Sequence, residues 1–450
     1  YDEGCVEANV RRFAAIATHL SVNEPSFPFT PGDPLDGAAE PWWFWHCGDR
    51  AQPAHRPEEE RSLNMQREYD VIVAGAGIVG AAIAYGLAGY DKRVLMLDGA
   101  DRDYRAAKAN FGLVWVQGKG YRYPEYHRLS AAAADAWPEF AAGLEAETGI
   151  SLDYQTGAGL KFCLSDDELS ARAKMLDAWE AETPELAPSV RILDRSELAR
   201  RYPTMRLGPD VVGASLGEQD GQANPLRLLA ALQAAFQRRG GMVRNGHPVT
   251  SIKPLAGGGF EVKTSEQTAR AERVVIAAGL GSVALGRMIG LDVPLHPERG
   301  QILVTERLAP VLPVPASGLR QTGEGTVMIG VTQEDVGYDL STTSAAAVRM
   351  TRKALRILPE LGKARLVRQW SCLRVMTPDG YPVYASSQMY PGAEIATCHS
   401  GVTLASFHAG PYAQALASGR HLQTLNAFPL ERFNVSKNQS PQLTTADAHH

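Results

Sequence analysis

The chain has 450 residues, 44% of them apolar and 21% charged, with a formal net charge of −5. Such a chain builds a globular protein of two domains, and the missing basic excess excludes nucleic acid or an anionic membrane surface as its main partner. The five cysteines, at 5, 47, 163, 372 and 398, contain no CxxC pair, which argues against a disulfide framework or a zinc site and for a reducing cytoplasm.

Residues 1–64 differ from the rest. They hold Pro-rich and acidic stretches and the aromatic run Trp42-Trp43-Phe44-Trp45, and the first methionine is Met65. They read as an N-terminal extension of an enzyme that starts at Met65, or as a packed arm anchored by its tryptophans. Val71–Tyr90 carries no charge and is long enough to cross a bilayer. Its five glycines, at 75, 77, 80, 86 and 89, suit a strand, a turn and a helix instead, so no transmembrane segment is expected. Val71–Ala74 reads as a buried strand, 79–88 as a small-residue helix and Val94–Leu97 as a second strand. Helices follow over 129–147 and 225–239, the second with Pro225 in its first turn. Val274–Ala277 is a buried strand ending at Gly279. From about residue 296 to 375 the pattern is of strands broken by turns, at 301–305, 318–321, 326–331 and 364–371, with one helix at 344–357. Such a run suits an antiparallel sheet. Residues 435–450 read as a tail.

Gly75-Ala76-Gly77-Ile78-Val79-Gly80 is a G-x-G-x-x-G placed between a buried strand and a helix. In that context Gly75 makes the tight turn, Gly77 admits a pyrophosphate to the backbone and Gly80 lets helix and strand close together. The helix start offers N–H donors and a positive dipole end to the phosphates. Asp98, 18 residues beyond Gly80 at the end of the second strand, can accept both hydroxyls of an adenosine ribose and would repel a ribose phosphate. The spacing fits FAD or NAD without choosing between them.

The choice comes from a resemblance. Several segments resemble, in order, those of the D-amino-acid oxidase superfamily of FAD-dependent amine oxidoreductases. They are Asn110–Gly118 after the second strand, Asp220–Pro225 before a helix, Val274–Ser282 with Ala277-Ala278-Gly279, Pro294–Gln301, Leu373–Pro382 and Cys398–Ala405. The resemblance covers Met65 to about Phe433. It implies an α/β fold: a Rossmann-type FAD-binding domain from residues 65–121, 220–294 and 376–434, and a substrate domain from 122–219 and 295–375 on a mostly antiparallel sheet. The cofactor contacts it implies are Gly75, Gly77, Ile78, Val79, Gly80, Asp98, Asn110, Phe111, Gly112, Leu113, Val249, Ala278, Gly279, His399, Gly401, Val402, Thr403 and Leu404. Within the superfamily, Asn110-Phe111 with Trp115 and Gln117 is most similar to the β subunits of opine oxidases and D-hydroxyproline dehydrogenases and the third subunit of hydrogen cyanide synthase. That similarity implies a hetero-oligomer with flavin and iron–sulfur partner subunits, and an electron acceptor that could hold the protein at the inner face of a membrane.

The resemblance also implies roles. Arg374 stands where the family places the arginine that binds a substrate carboxylate, a task suited to a guanidinium that grips bidentately and stays charged. The expected substrate is a small carboxylate-bearing amine. His399 either touches the flavin or caps its loop. The segment with Trp115, Gln117 and Lys119 leaves the flavin, with Trp115 as pocket wall or core. Monomeric sarcosine oxidases bind flavin through a cysteine at the relative position of Cys372. In the subgroup resembled here that bond is not expected, so Cys372 is expected to be buried and inert, and the FAD non-covalent. Two other readings stay open: oxidation of a different small carboxylate such as a 2-hydroxy acid, and an electron-relay subunit, against which Arg374 argues.

Overall fold

Branched apolar residues in an unbroken run form a strand buried on both faces. In a computed structural model, which describes residues 68–99, 106–182 and 189–434, the strand Glu68–Ala74 lies inside an eight-stranded sheet. The Trp42–Trp45 cluster and the tail at 435–450 fall outside the described residues. Glu68–Ala74 pairs in parallel with Val94–Leu97 on one side and Thr268–Ile276 on the other, and Met242–Arg244 adds a further parallel strand beside Val94–Leu97. Thr268–Ile276 has two partners on its outer edge. Its first half pairs antiparallel with Phe260–Lys263 and its second half parallel with Ala393–Thr397.

Alternation of side chains along each strand divides the core. Val71, Val73, Val94 and Met96 pack against the helices Ile78–Ala88, Pro124–Thr148 and Pro225–Arg238. Ile72, Ala74, Leu95 and Leu97 face the other way, onto Leu285, Ile289 and the strands that follow residue 250.

The second unit is antiparallel. Four strands stand in the order Leu319–Gln321, Thr326–Gly330, His296–Arg307 and Leu366–Met376. A three-stranded sheet of Gly159–Cys163, Gly213–Gly217 and Val190–Asp194 joins it through a bridge from Leu160 to Ala316. Leu303, Leu319 and Ile329 on one face form a core with Leu160, Leu216 and the helix Ser344–Ile357. On the opposite face Ile302 and Met328 pack against Phe111, which comes from the segment after Val94–Leu97. The fold is thus a Rossmann-type α/β unit with an antiparallel sheet laid against it. Among the described residues no helix is long and apolar enough to cross a membrane.

The glycine turn is fixed by close approach. Gly75 has φ of +110°, and a Cβ there would meet Ala277 O at 2.4 Å. A Cβ on Gly80 would lie 1.9 Å from Gly75 O, so even Gly80→Ala must push the helix off the strand. Overpacking of this kind costs about 1–3 kcal/mol. Gly80→Ala is expected to lower the melting temperature and the flavin content together. Unchanged melting and flavin content would show that the turn has room to relax.

Candidate active site

The parallel strands all end on one side, where a ligand cleft of an open α/β sheet is expected. A cleft of about 650 Å³ opens there. Gly75, Gly77, Ile78 and Val79 line it from the glycine turn, Asp98 from the end of the second strand, Ala278 and Gly279 from the end of Thr268–Ile276, and His399, Gly401 and Val402 from the loop after Ala393–Thr397. The residues present fit a dinucleotide. A Cβ on Gly77 would meet only Ala107 Cβ, at 3.8 Å, so the backbone there is bare towards the cleft. The helix begun by Gly77 has no side-chain cap and no acid in its first turn, which leaves its first N–H groups and dipole end for phosphate. The Asp98 carboxylate, fixed by the Gly99 N–H at 2.9 Å, lines the far end.

A smaller cavity of about 150 Å³ adjoins the cleft. The segment after the second strand supplies Asn110, Phe111, Leu113, Trp115 and Lys119, the four-stranded sheet supplies Gly300, Ile302, Gly318, Cys372 and Arg374, and the loop supplies His399, Val402 and Thr403. Asn110, His399 and Val402 line both spaces. Four of the expected cofactor contacts line neither. Gly80 and Gly112 are packed against backbone, where a Cβ on Gly112 would strike Ala223 O at 2.4 Å. Leu404 is fully buried in the helical core, and Val249 is part-buried against the apolar layer beside Leu95 and Leu97.

Buried hydrogen bonds hold these walls. Asp220 Oδ1 accepts the N–H groups of Val116 at 2.6 Å and Gln117 at 3.1 Å, and its Oδ2 accepts from Gln117 Nε2 at 2.6 Å. Gln117 Oε1 in turn accepts from Arg172 Nη2 at 3.0 Å and Ser215 Oγ at 2.7 Å. Lys119 Nζ donates to Thr403 Oγ1 at 2.9 Å. The Trp137 indole N–H reaches the carbonyls of Val402 and Thr403, at 3.2 and 3.0 Å. Asp220 was legible only as part of a family segment; its depth in the fold was not.

Burial sets the charges. It pushes the Asp220 carboxyl up to about 6, against its N–H donors and Lys119. It lowers Lys119 to about 7, opposed by Asp220. His399 is driven down to about 3 by burial and then by the Arg374 and Lys119 cations, so it is a neutral imidazole at working pH. Burial raises the Cys372 thiol, and Arg374 opposes that rise only in part; the sulfur faces Ala109 O at 3.6 Å. Arg374 is paired with Glu298, the residue opposite it on the neighbouring strand, and its Nη2 donates to Thr332 O at 2.7 Å.

Lys119 gives the cavity a pH dependence of known sign. Its pKa is depressed, so the cation appears as pH falls through about 7. Acetate, ionised throughout this range, should bind more tightly below that pH. A neighbouring charge at intermediate dielectric is worth up to a few kcal/mol, or roughly tenfold or more in affinity. Titrating acetate against the flavin absorbance between pH 6 and 9 should show the step in the native protein and a flat profile in Lys119→Met. The same step in both would assign it to another group.

Comparison with known proteins bears on the fold and the family. The model of a family described as DAO, FAD dependent oxidoreductase, matches residues 70–414. The B-subunit of opine oxidase from Agrobacterium tumefaciens (strain Ach5) is 42% identical over 370 residues, which cover 82% of this chain and 99% of that protein. The HcnC subunit of hydrogen cyanide synthase from Pseudomonas aeruginosa is 28% identical over 367 residues, covering 71% of this chain and 85% of that one. The crystal structure of glycine oxidase from Bacillus cereus ATCC 14579 superposes with a TM-score of 0.73 at 22% identity, over 80% of this chain and 98% of the other. The chain belongs to the DAO family of FAD-dependent oxidoreductases.

Proposed function

We propose that this enzyme oxidises the carbon–nitrogen bond of an amino acid or secondary amine of the opine, D-hydroxyproline, glycine or sarcosine type. The observation that carries the reading is Arg374. It lines the small cavity beside the flavin loop, and Glu298 and Thr332 O occupy only part of its hydrogen-bonding capacity. A guanidinium has five N–H donors, so a substrate carboxylate can take the others in a bidentate grip. FAD, when bound, supplies the acceptor for two electrons and a hydrogen from the carbon next to nitrogen. Gly75, Gly77, Ile78 and Val79 would hold its pyrophosphate and Asp98 its ribose, while Asn110, His399, Gly401, Val402 and Thr403 would border its ring. Arg374 then orients the substrate carbon, and Phe111, Leu113 and Trp115 keep water from it. The amine must lose its proton before its lone pair can assist, and the resulting imine is hydrolysed by water.

The opine oxidase and cyanide synthase relatives are, by name, components of larger enzymes. Their likeness supports an assembly of this chain with partner subunits, which we take, on the subgroup resemblance alone, to be flavin and iron–sulfur proteins.

Arg374→Ala should lower kcat/KM on the carboxylate substrate by roughly 30- to several-thousand-fold, the value of a desolvated charge-assisted contact. Arg374→Lys should recover only part, since a point charge lacks the fork. The double variant Arg374→Ala/Glu298→Gln removes the carboxylate left without its partner, and should keep its flavin. An amine lacking the carboxylate should be a poor substrate for all forms, and hardly worse for the variants. Equal impairment on both kinds of amine, or flavin loss in the double variant, would make Arg374 a structural residue.

The flavin is expected to be non-covalent. A thiol with a raised pKa is a poor nucleophile, and Cys372 is such a thiol. Acid precipitation should leave all the yellow colour in the supernatant. Colour held in the pellet and freed by Cys372→Ser would reverse this.

A further inference from the structure

Five ionisable side chains line the small cavity: Lys119, Cys372, Arg374, Cys398 and His399. An amine substrate arrives there as an ammonium, and its proton needs an acceptor. Four of the five cannot serve. Arg374 stays charged, and it is paired with Glu298, whose carboxylate is committed to that pair and does not line the cavity. Burial raises both thiols, Cys398 to about 12, so neither is a thiolate that could take a proton. Burial and two neighbouring cations hold His399 at about 3, too weak a base to compete with an amine.

Lys119 differs in how it is bonded. It is 4% exposed, and Thr403 Oγ1, 2.9 Å from Nζ, is its one side-chain hydrogen-bond partner among the described residues. That hydroxyl is already an acceptor. It also receives the Trp115 N–H at 3.2 Å, and its own proton goes to Leu113 O at 3.5 Å. Thr403 therefore takes an N–H from Lys119 in either protonation state and offers nothing to the Nζ lone pair. A neutral Lys119 is anchored by one N–H, with its lone pair unused, on the wall of the cavity that Arg374 also lines. Of the groups around it, Asp220 favours the cation, and Cys398 and His399 in the flavin loop are neutral. His127 on the long helix hydrogen-bonds the Lys119 backbone and is kept neutral by burial. Burial outweighs Asp220, so Lys119 is neutral above about pH 7.

We propose that Lys119 is the proton acceptor of amine oxidation, taking the proton of the substrate ammonium onto Nζ. The inference rests on the amine reading above. The substrate N–H bond breaks, an Nζ–H bond forms, and the electron pair stays on the substrate nitrogen, where it assists oxidation by FAD. The cation passes from substrate to Lys119, so the step creates no new charge in a buried place, where one would be costly. The proton returns to water before the next turnover.

The test follows anaerobic bleaching of the FAD-loaded protein at low substrate from pH 6 to 10, using whichever of glycine, sarcosine, D-proline and N-(1-carboxyethyl)alanine is fastest. In the native enzyme the second-order rate constant should rise with pH through about 7, as Lys119 loses its proton, and then level off. In Lys119→Met that step should vanish. The rate should instead climb towards the pH at which the amine itself ionises, roughly 10. At pH 8 the variant should be slower by roughly 100-fold or more, the usual contribution of a positioned base, and the gap should close as the pH approaches 10. Lys119→Arg separates a base from a fixed cation. It keeps the charge and an N–H for Thr403 but cannot accept a proton, so it should be as slow as Lys119→Met. Recovery in Lys119→Arg, or a loss in Lys119→Met that is the same at every pH, would overturn the proposal. Should either variant lose its flavin, the other decides, together with the native profile. If no amine bleaches the native enzyme, the amine reading fails and this role with it. If an amine bleaches native and Lys119→Met with the same step, the amine reading stands and Lys119 is not the base.

Discussion

One buried carboxylate ties the two units of this enzyme together. Asp220 receives the backbone of Val116 and Gln117 and the Gln117 side chain, and through Gln117 it reaches Arg172 and Ser215 in the second unit. The segment it fixes is the one that puts Phe111, Leu113, Trp115 and Lys119 along the cavity. Burial favours the neutral acid, but N–H donors and a nearby lysine favour the anion. A carboxylate so enclosed stays fixed because each of its bonds would be costly to leave unmade. The crowding around it is part of the design: a Cβ on Gly217 would strike its Oδ2 at 2.2 Å, and one on Gly159 its Cβ at 2.4 Å.

The opposite wall depends on a different device. The loop after Ala393–Thr397 has little regular structure of its own. It is clamped by the Trp137 indole, by Tyr126, whose hydroxyl meets Ser400 Oγ at 2.7 Å, and by Lys119 on Thr403. Two of those clamps come from the long helix Pro124–Thr148. The helix therefore couples the packing of the Rossmann core to the shape of the ligand cleft.

Much of this was legible in the sequence where local chemistry decides structure. The glycine turn, Val94–Leu97 and the helix Ser344–Ile357 stand at the residues their patterns indicated. Thr343 caps that last helix through the Ala346 N–H, a signal readable from residue type alone. The strands Gly159–Cys163, Val190–Asp194 and Gly213–Gly217 were not legible. They are short, glycine-bounded or half-exposed, and gain their order from one another. The helix Asp166–Glu182 buries only Arg172 and Trp179, too little for an apolar stripe. In the site, the motif residues were visible because spacing carried them. The pairing of Glu298 with Arg374 was not visible, because cross-strand register leaves no mark on a single sequence.

The pairing of Arg374 with Glu298 has a consequence for what can enter. The two charges cancel, so at rest the anchor presents hydrogen-bond donors without a net positive field. A bare anion arriving there would leave the Arg374–Glu298 position one unit negative in a place of low polarisability, which opposes its entry. A zwitterion carries its own compensating ammonium and avoids that cost. The anchor thus holds inorganic anions and simple carboxylic acids less well than molecules whose two charges travel together, and a bound acetate must draw its compensating charge from the Lys119 cation that appears below about pH 7.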